Sequence, residues 1–236
     1  MNIHSVIKLF DNGNVCVVGL RGSGKDMLCA NVTQYRNKPY ICNVDYGGYF
    51  NRLTSDLFNL GGNTFADFKH GTLKPYSFPY PDYTDVFLSD VGVYYPSHEC
   101  SYLDKHDKGL PLFMALSRQL GLCNVHLNVQ NLERAWTKIR EQSDTYIRTN
   151  WCKVFFGKIV VQSITIYERA QSVIDRVPEC PFKTPLLCDK QMKEYYNIKK
   201  LEYRVSYGDI KNRLLIYINK SSYDTRFFKK LLEGDA

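Results

Sequence analysis

The chain has 236 residues, of which 44% are hydrophobic and 23% are charged, so it can bury a core and wholesale disorder is excluded. No apolar run approaches the roughly 18 residues that cross a bilayer, so we expect no transmembrane segment. The N-terminus lacks a basic stretch followed by an apolar one, so the sequence predicts a cytoplasmic protein without a secretory signal.

The net charge of +7 is concentrated in two segments of the second half. Residues 133–158 hold six basic and three acidic side chains, and residues 191–236 hold ten basic and six acidic ones. A positive surface favours phosphate-bearing partners such as DNA, or anionic lipid. A solvated basic face without a ligand is the alternative interpretation.

Eight cysteines are spread along the chain without any C-x-x-C pair. Several lie inside apolar strings, as reduced core cysteines usually do. The spacing offers no zinc site.

The first 130 residues alternate between strand and helix patterns, which predicts an α/β fold with a mostly parallel sheet covered by helices. Segment 45–83 is rich in Gly, Pro, Asn and Tyr, so we expect long loops there. The predicted strands are residues 6–10, 15–18, 39–44, 86–89 and 124–129, and the predicted helices are residues 25–36, 63–70 and 112–120. The first two strands flank the turn sequence DNGN, as in a hairpin or two successive strands.

The alternation of strand and helix patterns ends after residue 130. A basic helix over residues 132–141 is expected to lead into antiparallel strands at the edge of the same sheet, at residues 145–149, 154–156 and 159–167. A linker over residues 178–185 then precedes a possible accessory unit with a helix near 190–196, strands at 201–206 and 213–218, and a basic helix at 223–232. We therefore predict an ATPase-sized domain over residues 1–177 and a small α+β appendage over residues 178–236.

A strand, a glycine-rich loop and a helix follow one another in VCVVGLRGSGKDM, which begins at Val15 and fits G-x-x-x-x-G-K. Gly22 and Gly24 let backbone N–H groups converge on an anion, and Lys25 reaches the β- and γ-phosphates. The N-terminus of the next helix adds a favourable dipole. The motif predicts nucleotide binding by Gly19, Leu20, Arg21, Gly22, Ser23, Gly24, Lys25, Asp26 and Met27. A structural glycine turn is the alternative.

Two carboxylates are candidate magnesium ligands. Asp26 stands where a Ser or Thr usually follows the lysine, and it either ligates Mg²⁺ or caps the helix. Asp90 follows a predicted strand and so lies at a carboxyl edge, where α/β sheets bind ligands. Val91 occupies the position where an ATPase usually places its glutamate base, and Glu99 is a more distant candidate. Nucleotide binding and hydrolysis are therefore separate predictions.

Over roughly residues 1–170, the chain resembles the zonular-occludens-toxin-like P-loop ATPases of filamentous phages and related mobile elements, within the FtsK/HerA group of DNA-translocating motors. The resemblance rests on GLRGSGKDML, FLSDVGVYYPS, ALSRQLG, and NVHLNVQN followed by KIRE. It implies a RecA-like P-loop NTPase fold. This chain departs from the filamentous-phage assembly proteins because it lacks their transmembrane helix.

The resemblance also implies roles for three polar residues. Gln130 stands where the family places a polar sensor of the γ-phosphate and the attacking water. Arg118 and Arg140 match family arginines, which makes them candidates for nucleotide-state sensing or for a finger that reaches a neighbouring subunit. As alternatives, Gln130 caps a strand end and the two arginines are solvated surface residues.

Together these features predict a Mg²⁺–ATP-dependent motor that acts on DNA of a phage or mobile element, in genome packaging, export or transfer. Its predicted catalytic residues are Lys25, Asp90, Gln130, Arg118 and Arg140. We expect a homo-oligomeric ring in the host cytoplasm, or at a membrane through a partner, with phage or mobile-element assembly proteins as further partners. The rival hypotheses are a nucleotide-binding assembly module without hydrolysis and a small-molecule or nucleotide kinase.

Overall fold

The structure, a computed structural model, describes residues 3–53, 57, 62–63, 65–75, 77, 79–91, 113–114, 117, 119, 121–122, 124–130, 142–155, 159–169 and 196–206. Its helices are His4–Asn12 (α1), Lys25–Arg36 (α2) and Phe65–His70 (α3). Its strands are Val15–Val18 (β1), Tyr40–Cys42 (β2), Phe50–Arg52 (β3), Asp85–Leu88 (β4), Val125–Val129 (β5), Thr145–Phe155 (β6), Ile159–Arg169 (β7) and Tyr196–Ser206 (β8).

The strands form a single eight-stranded sheet in the order β3-β2-β4-β5-β1-β6-β7-β8. Every pair from β3 to β6 is parallel, and β7 pairs antiparallel with both β6 and β8. Only β5 separates β1, which leads into the glycine loop, from β4, which leads to Asp90, so both carboxyl ends lie at one edge. The predicted α/β, RecA-like fold with antiparallel edge strands is confirmed.

The prediction of a strand at residues 6–10 was wrong, because this segment belongs to α1. Ile3, Val6, Ile7 and Phe10 recur at the i, i+3, i+4, i+7 spacing of an amphipathic helix, and all four are buried. A half-buried strand would need strict alternation instead. The chain therefore reaches β1 from a helix and not from a hairpin partner.

Apolar side chains of the sheet alternate between two cores, one on each face. Val15 and Val17 of β1 pack in the core that α1 and α2 cover. Cys16 and Val18 pack in the opposite core, which includes Phe113 from the predicted helix over residues 112–120. Burial on both faces explains why β1 and β5 are continuous buried runs, as in other parallel sheets.

At the far end of α2, a buried ion pair fixes the helix to the sheet. Arg36 has a side chain only 3% exposed and pairs with Asp85, which is 2% exposed, at the start of β4. Its second partner is Asp11 of α1, at 2.7 Å. The buried charges of Arg36 and Asp85 thus neutralise each other, and a buried charge is tolerated when it has such a partner.

β6 is one strand, although the sequence predicted two. A β-bulge between Thr149 and Trp151 interrupts its pairing with β7 without ending the strand. β6 pairs with β1 only as far as Arg148, opposite Val18, so residues 149–155 run on for about 23 Å past the end of β1.

Two further strands accompany this extension. Residues 159–164 of β7 pair with β6, and residues 201–206 of β8 pair with β7. Residues 149–155, 159–164 and 201–206 together form a three-stranded extension, which we call the overhang. The overhang continues the sheet past the edge at which the glycine loop lies.

The last described strand lies within the predicted appendage. β8 pairs with β7 over its whole length, so residues 196–206 belong to the same sheet as β1, the strand that leads into the glycine loop. The domain boundary at residue 177 stays a prediction. The expected elements at residues 132–141, 178–185, 213–218 and 223–232 lie outside the described residues.

Cys16, Cys29 and Cys42 are buried free thiols, and Cys152 is a partly buried one. Burial raises the pKa of Cys29 and of Cys42, and raises the pKa of Cys152 to about 11, so these thiols stay protonated. Within the described ranges, no helix is long and apolar enough to cross a membrane.

Candidate nucleotide-binding site

The glycine loop joins β1 to α2, as the sequence predicted. Gly22 and Gly24 have φ values of +80° and +89°, in the left-handed region that glycine adopts without steric cost. Gly24 is also the N-cap of α2, and it supplies no side-chain cap. Backbone turned in this way at a helix N-terminus is an arrangement that binds phosphate.

Lys25 is the first residue of α2, and its side chain is buried within the loop. It is 5% exposed, and its Nζ donates to the carbonyl oxygen of Leu20 at 3.3 Å. An ammonium group bonds more strongly to an anionic oxygen than to a neutral carbonyl. The ammonium group of Lys25 would therefore gain by exchanging the Leu20 carbonyl for a phosphate oxygen.

Asp26 is anchored by three hydrogen-bond donors that converge on its Oδ1 atom. The Tyr46 hydroxyl donates at 2.9 Å, the Ser89 hydroxyl at 3.2 Å and Asn128 Nδ2 at 2.6 Å. The three donors are side chains and not backbone N–H groups of α2, so the structure does not show the capping alternative for Asp26. The carboxylate instead links the start of α2 to the ends of β4 and β5.

Asp90 lies beside this cluster, just after β4. Gln130 Nε2 donates to Asp90 Oδ1 at 3.5 Å. Burial raises the pKa of Asp90 and the charge of Asp26 raises it further, while Lys25 and the Gln130 hydrogen bond act in the opposite direction. The structure therefore brings Lys25, Asp26, Asp90 and Gln130 together at one edge of the sheet. Arg118, Arg140 and Glu99 lie outside the described residues.

The two carboxylates fit a magnesium ion. Mg²⁺ prefers oxygen ligands and commonly uses one or two carboxylates together with substrate phosphates and water. Burial is the main cause of the raised pKa of Asp90, and the smaller contribution from Asp26 reflects negative charge that a divalent cation would offset. In the part of the chain that the structure describes, no group of three or more His, Cys, Asp or Glu side chains converges.

Val91, at the position of the usual glutamate base, points into the protein. It is 1% exposed and packs in the core that contains Leu88 and Phe113. This position therefore supplies no polar group to the cluster of Asp26 and Asp90.

The sequence motifs did not point to two asparagines of the site. Asn43, after β2, exchanges two hydrogen bonds with the backbone of Ser89, at 2.8 and 2.9 Å, and so ties the ends of β2 and β4 together. Asn128 is 2% exposed, and its Oδ1 has no hydrogen-bond partner among the residues that the structure describes, although its Nδ2 bonds to Asp26. A signal was available, because His126 and Asn128 alternate with apolar residues along β5 and Gln130 directly follows that strand.

The inner face of the overhang supports the loop from the other side. Gln162 of β7 is fully buried, and its Nε2 donates to the carbonyl oxygen of Gly24 at 2.8 Å. The hydroxyl of Tyr203 on β8, also buried, donates to Gln162 Oε1. A hydrogen-bonded connection thus runs from β8 through β7 to the N-cap of α2. The sequence offered no motif for it.

A hydroxyl pair makes a second connection between the overhang and the loop. Ser23 Oγ lies 2.7 Å from Thr149 Oγ1, and Thr149 Oγ1 also contacts the carbonyl oxygen of Val18 at 3.2 Å. Ser23 in addition donates to the carbonyl oxygen of Leu20 at 2.7 Å. The path of the loop is therefore fixed by uncharged, largely buried hydrogen bonds.

The overhang also determines which glycines of the loop are sterically required. A Cβ on Gly24 would lie 2.5 Å from Cys152 Cβ, and one on Gly19 would lie 2.1 Å from Thr149 Oγ1. A Cβ on Gly22 would meet no atom of the described residues within 4 Å. Gly19 and Gly24 thus allow close packing, whereas Gly22 is required only for its backbone conformation.

No protein-family model and no curated protein matches this chain. Among solved structures, the chain is similar to the N-terminal domain of zonular occludens toxin from Neisseria meningitidis, at 12% identity and a TM-score of 0.46, over 81% of this chain and 93% of that one. It is similar to the genome packaging NTPase B204 of Sulfolobus turreted icosahedral virus 2 in complex with AMP, at 16% identity and a TM-score of 0.38, over 58% and 75% of the two chains. It is also similar to the Legionella pneumophila ATPase DotB, at 12% identity and a TM-score of 0.42, over 98% and 64%.

These similarities are likenesses of fold, since the identities are 16% or lower and the TM-scores are below 0.5. The function proposed below therefore rests on the residues of this chain. A protein of the family that the sequence motifs resemble is among the similar folds.

Proposed function

We propose that this chain is a P-loop ATPase that binds Mg²⁺–ATP at the carboxyl edge of its parallel strands and uses hydrolysis to move DNA of a phage or mobile element. One observation carries the proposal. Lys25, Asp26, Asp90 and Gln130 meet beside a loop whose glycine conformations suit phosphate binding at the N-terminus of α2.

Each of these residues has a role in the proposal that follows from its chemistry. Lys25 exchanges the Leu20 carbonyl for the β- and γ-phosphate oxygens, which gives the buried ammonium an anionic partner. Asp90 and Asp26 would hold magnesium, which when bound neutralises charge on the phosphates. Gln130, an exposed amide next to Asp90, orients the attacking water.

Arg118 and Arg140 enter the proposal through the family resemblance alone. One of them reaches the nucleotide of a neighbouring subunit and stabilises charge in the transition state, a contribution of about 10³ or more where such fingers are used. This role requires a homo-oligomer, and a ring suits a motor. The basic segments of the second half supply the DNA-binding surface, in the cytoplasm of the host.

A nucleotide-binding assembly module without hydrolysis is the second candidate, and the burial of Val91 favours it. With this position turned into the core, a general base must come from elsewhere in the chain or from a partner. Such a module would hold ATP as a structural or switching ligand.

The test is steady-state phosphate release, with and without single- and double-stranded DNA, together with nucleotide affinity and oligomeric mass. We expect Lys25→Met to abolish turnover. Lys38→Met is the matched control, because Lys38 lies just past the opposite end of α2 with a half-exposed side chain. Full activity in Lys25→Met would contradict the assigned site, and tight ATP binding without release under any condition would select the assembly module.

A further inference from the structure

The overhang has a second face, opposite the one that supports the glycine loop. Along each strand successive side chains point to opposite faces, so Cys152, Gln162 and Tyr203 face the loop while their neighbours face away. From Arg148 onward on β6 and from Lys200 onward on β8, the described side chains that point away are exposed. The β-bulge between Thr149 and Trp151 leaves both Asn150 and Trp151 on this face. We call this set the outer face: Arg148, Asn150, Trp151, Lys153, Phe155, Lys200, Glu202 and Arg204.

The pairing register aligns the outer face in rows across the three strands. Successive rows are about 7 Å apart along the strands, and β6 and β8 are about 10 Å apart across them. Asn150 confirms the orientation, because its Nδ2 donates to Ser163 Oγ at 3.3 Å and to Thr165 Oγ1 at 3.1 Å. The rows are Arg148–Thr165–Lys200, Trp151–Ser163–Glu202 and Lys153–Val161–Arg204.

Two aromatic rings lie exposed on this face. Trp151 is 37% exposed and Phe155 is 44% exposed. Lys153 lies between them in sequence, with its Nζ 5.5 Å from the centre of the Trp151 ring. Exposed rings of this kind provide surfaces on which the bases of an unpaired strand stack, and duplex bases are not available for such contacts.

The charges around the rings are complementary to a phosphate backbone. Arg148, Lys153, Lys200 and Arg204 contribute four positive charges, and Glu202 contributes one negative charge. Rows of cations beside aromatic rings combine the two interactions used by proteins that bind single strands without reading their sequence.

We propose that the outer face binds single-stranded nucleic acid, with bases stacked on Trp151 and Phe155 and with phosphates bound by the surrounding lysines and arginines. This inference rests on the proposed function, since it assigns to one surface the nucleic-acid contact of that motor. Trp151 and Lys153 flank Cys152, and Glu202 and Arg204 flank Tyr203, so the bound strand would contact the same β-strands that support the glycine loop.

The chain has two tryptophans, Trp136 and Trp151, which makes a direct readout available. In a full-length Trp136→Phe variant, all tryptophan fluorescence comes from Trp151. We expect a single-stranded oligothymidine of about 20 nucleotides to quench this fluorescence, and its duplex with oligoadenosine to quench it much less. Raising the salt concentration should weaken binding of the single strand.

Variants assign the binding to the outer face. Measured by fluorescence anisotropy of a labelled oligothymidine, Trp151→Ala should lower affinity about tenfold or more, and Trp151→Phe should retain most of it. Lys153→Ala should reduce the slope of log affinity against log salt by about 1. Tyr49→Ala is the matched control, because it removes an exposed ring, 57% accessible, next to β3 at the opposite end of the sheet.

Three outcomes would overturn the inference: no quenching of Trp151 by the single strand, unchanged affinity in Trp151→Ala, or binding of anionic lipid vesicles without binding of oligonucleotide. The test is independent of ATP turnover. Quenching without phosphate release would contradict the proposed ATPase activity and support nucleic-acid binding by the outer face. Phosphate release without quenching would support the ATPase activity and contradict nucleic-acid binding by the outer face.

Discussion

The glycine loop lies between two surfaces of opposite character. On one side, the ends of α2, β4 and β5 present charged or exposed polar groups, including Asp26, Asp90 and Gln130. On the other side, the overhang presents neutral groups, Thr149 and Gln162, of which Gln162 is fully buried. The first surface supplies charge for chemistry, and the second fixes the backbone conformation that the chemistry requires.

The difference shows why a phosphate loop needs more than its own motif. Groups that bind a charged ligand must be reachable, so their hydrogen bonds remain partly exposed to water, which can replace a lost partner. Gln162 and Thr149 hold the loop where water is excluded, and buried hydrogen bonds of this kind are costly to break. The catalytic surface can thus exchange partners while the supporting surface stays constant.

The largest expected effect comes from breaking the supporting surface at Gly24. In Gly24→Ala, the left-handed φ of +89° costs about 1–2 kcal/mol. The new Cβ would also lie 2.5 Å from Cys152 Cβ, and overpacking of this kind costs a further 1–3 kcal/mol or so. Urea unfolding should show the combined loss, and nucleotide titration should show weakened binding.

Gly22→Ala is the matched control for that substitution. Its φ of +80° is nearly the same, but its Cβ would meet no atom within 4 Å in the described part of the chain, so only the conformational cost of about 1–2 kcal/mol is expected. Equal losses in the two variants would mean that the overhang does not constrain the loop.

A smaller effect is expected from the connection between β8 and the loop. Gln162→Leu removes the hydrogen bond to the Gly24 carbonyl and one acceptor of the buried Tyr203 hydroxyl, at a cost of about 1–3 kcal/mol. Tyr203→Phe deletes the donor of the same connection. If the two side chains act as a unit, the double variant should lose less unfolding free energy than the sum of the single variants. Strict additivity, measured by urea unfolding, would refute that coupling.

The smallest effect concerns the catalytic surface and depends on pH. The folded chain raises the pKa of Asp90, mainly by burial and then by the charge of Asp26, so between the ordinary and the raised value the folded state binds more protons than the unfolded state. Stability therefore falls as pH rises through that window, and the loss persists above it. Asp90→Asn should raise the Tm of the nucleotide-free protein at pH 7.5, and the gain should vanish below the ordinary carboxyl range. A Tm gain that is independent of pH would show that ionisation is not its cause.

Part of the site could be predicted because its signals are local in sequence. The glycine positions and Lys25 follow from a contiguous motif, and Asp90 follows from its place after an apolar strand. Parallel strands bring their carboxyl ends to one edge, so the proximity of Asp26, Asp90 and Gln130 was expected once the strands were assigned. Their catalytic and metal-binding roles remain proposals.

Other features escaped prediction for identifiable reasons. The helical spacing of Ile3, Val6, Ile7 and Phe10 was present in the sequence, but the turn sequence DNGN after it favoured a hairpin. The bulge at Thr149 conceals the continuity of β6, because an extra residue shifts the alternation by one position. Gln162 and Tyr203 carry no pattern at all.

The sequence by itself determined the glycine loop, the helix over Lys25–Arg36 and the strand patterns of the α/β sheet, because each depends on interactions between residues close along the chain. Only the tertiary structure decided that β7 and β8 extend past the loop, that Gln162 supports Gly24, and that Trp151 of β6 shares an exposed face with Arg204 of β8. Those contacts join residues far apart in sequence. Their partners are chosen by strand register and packing, which leave no local signature.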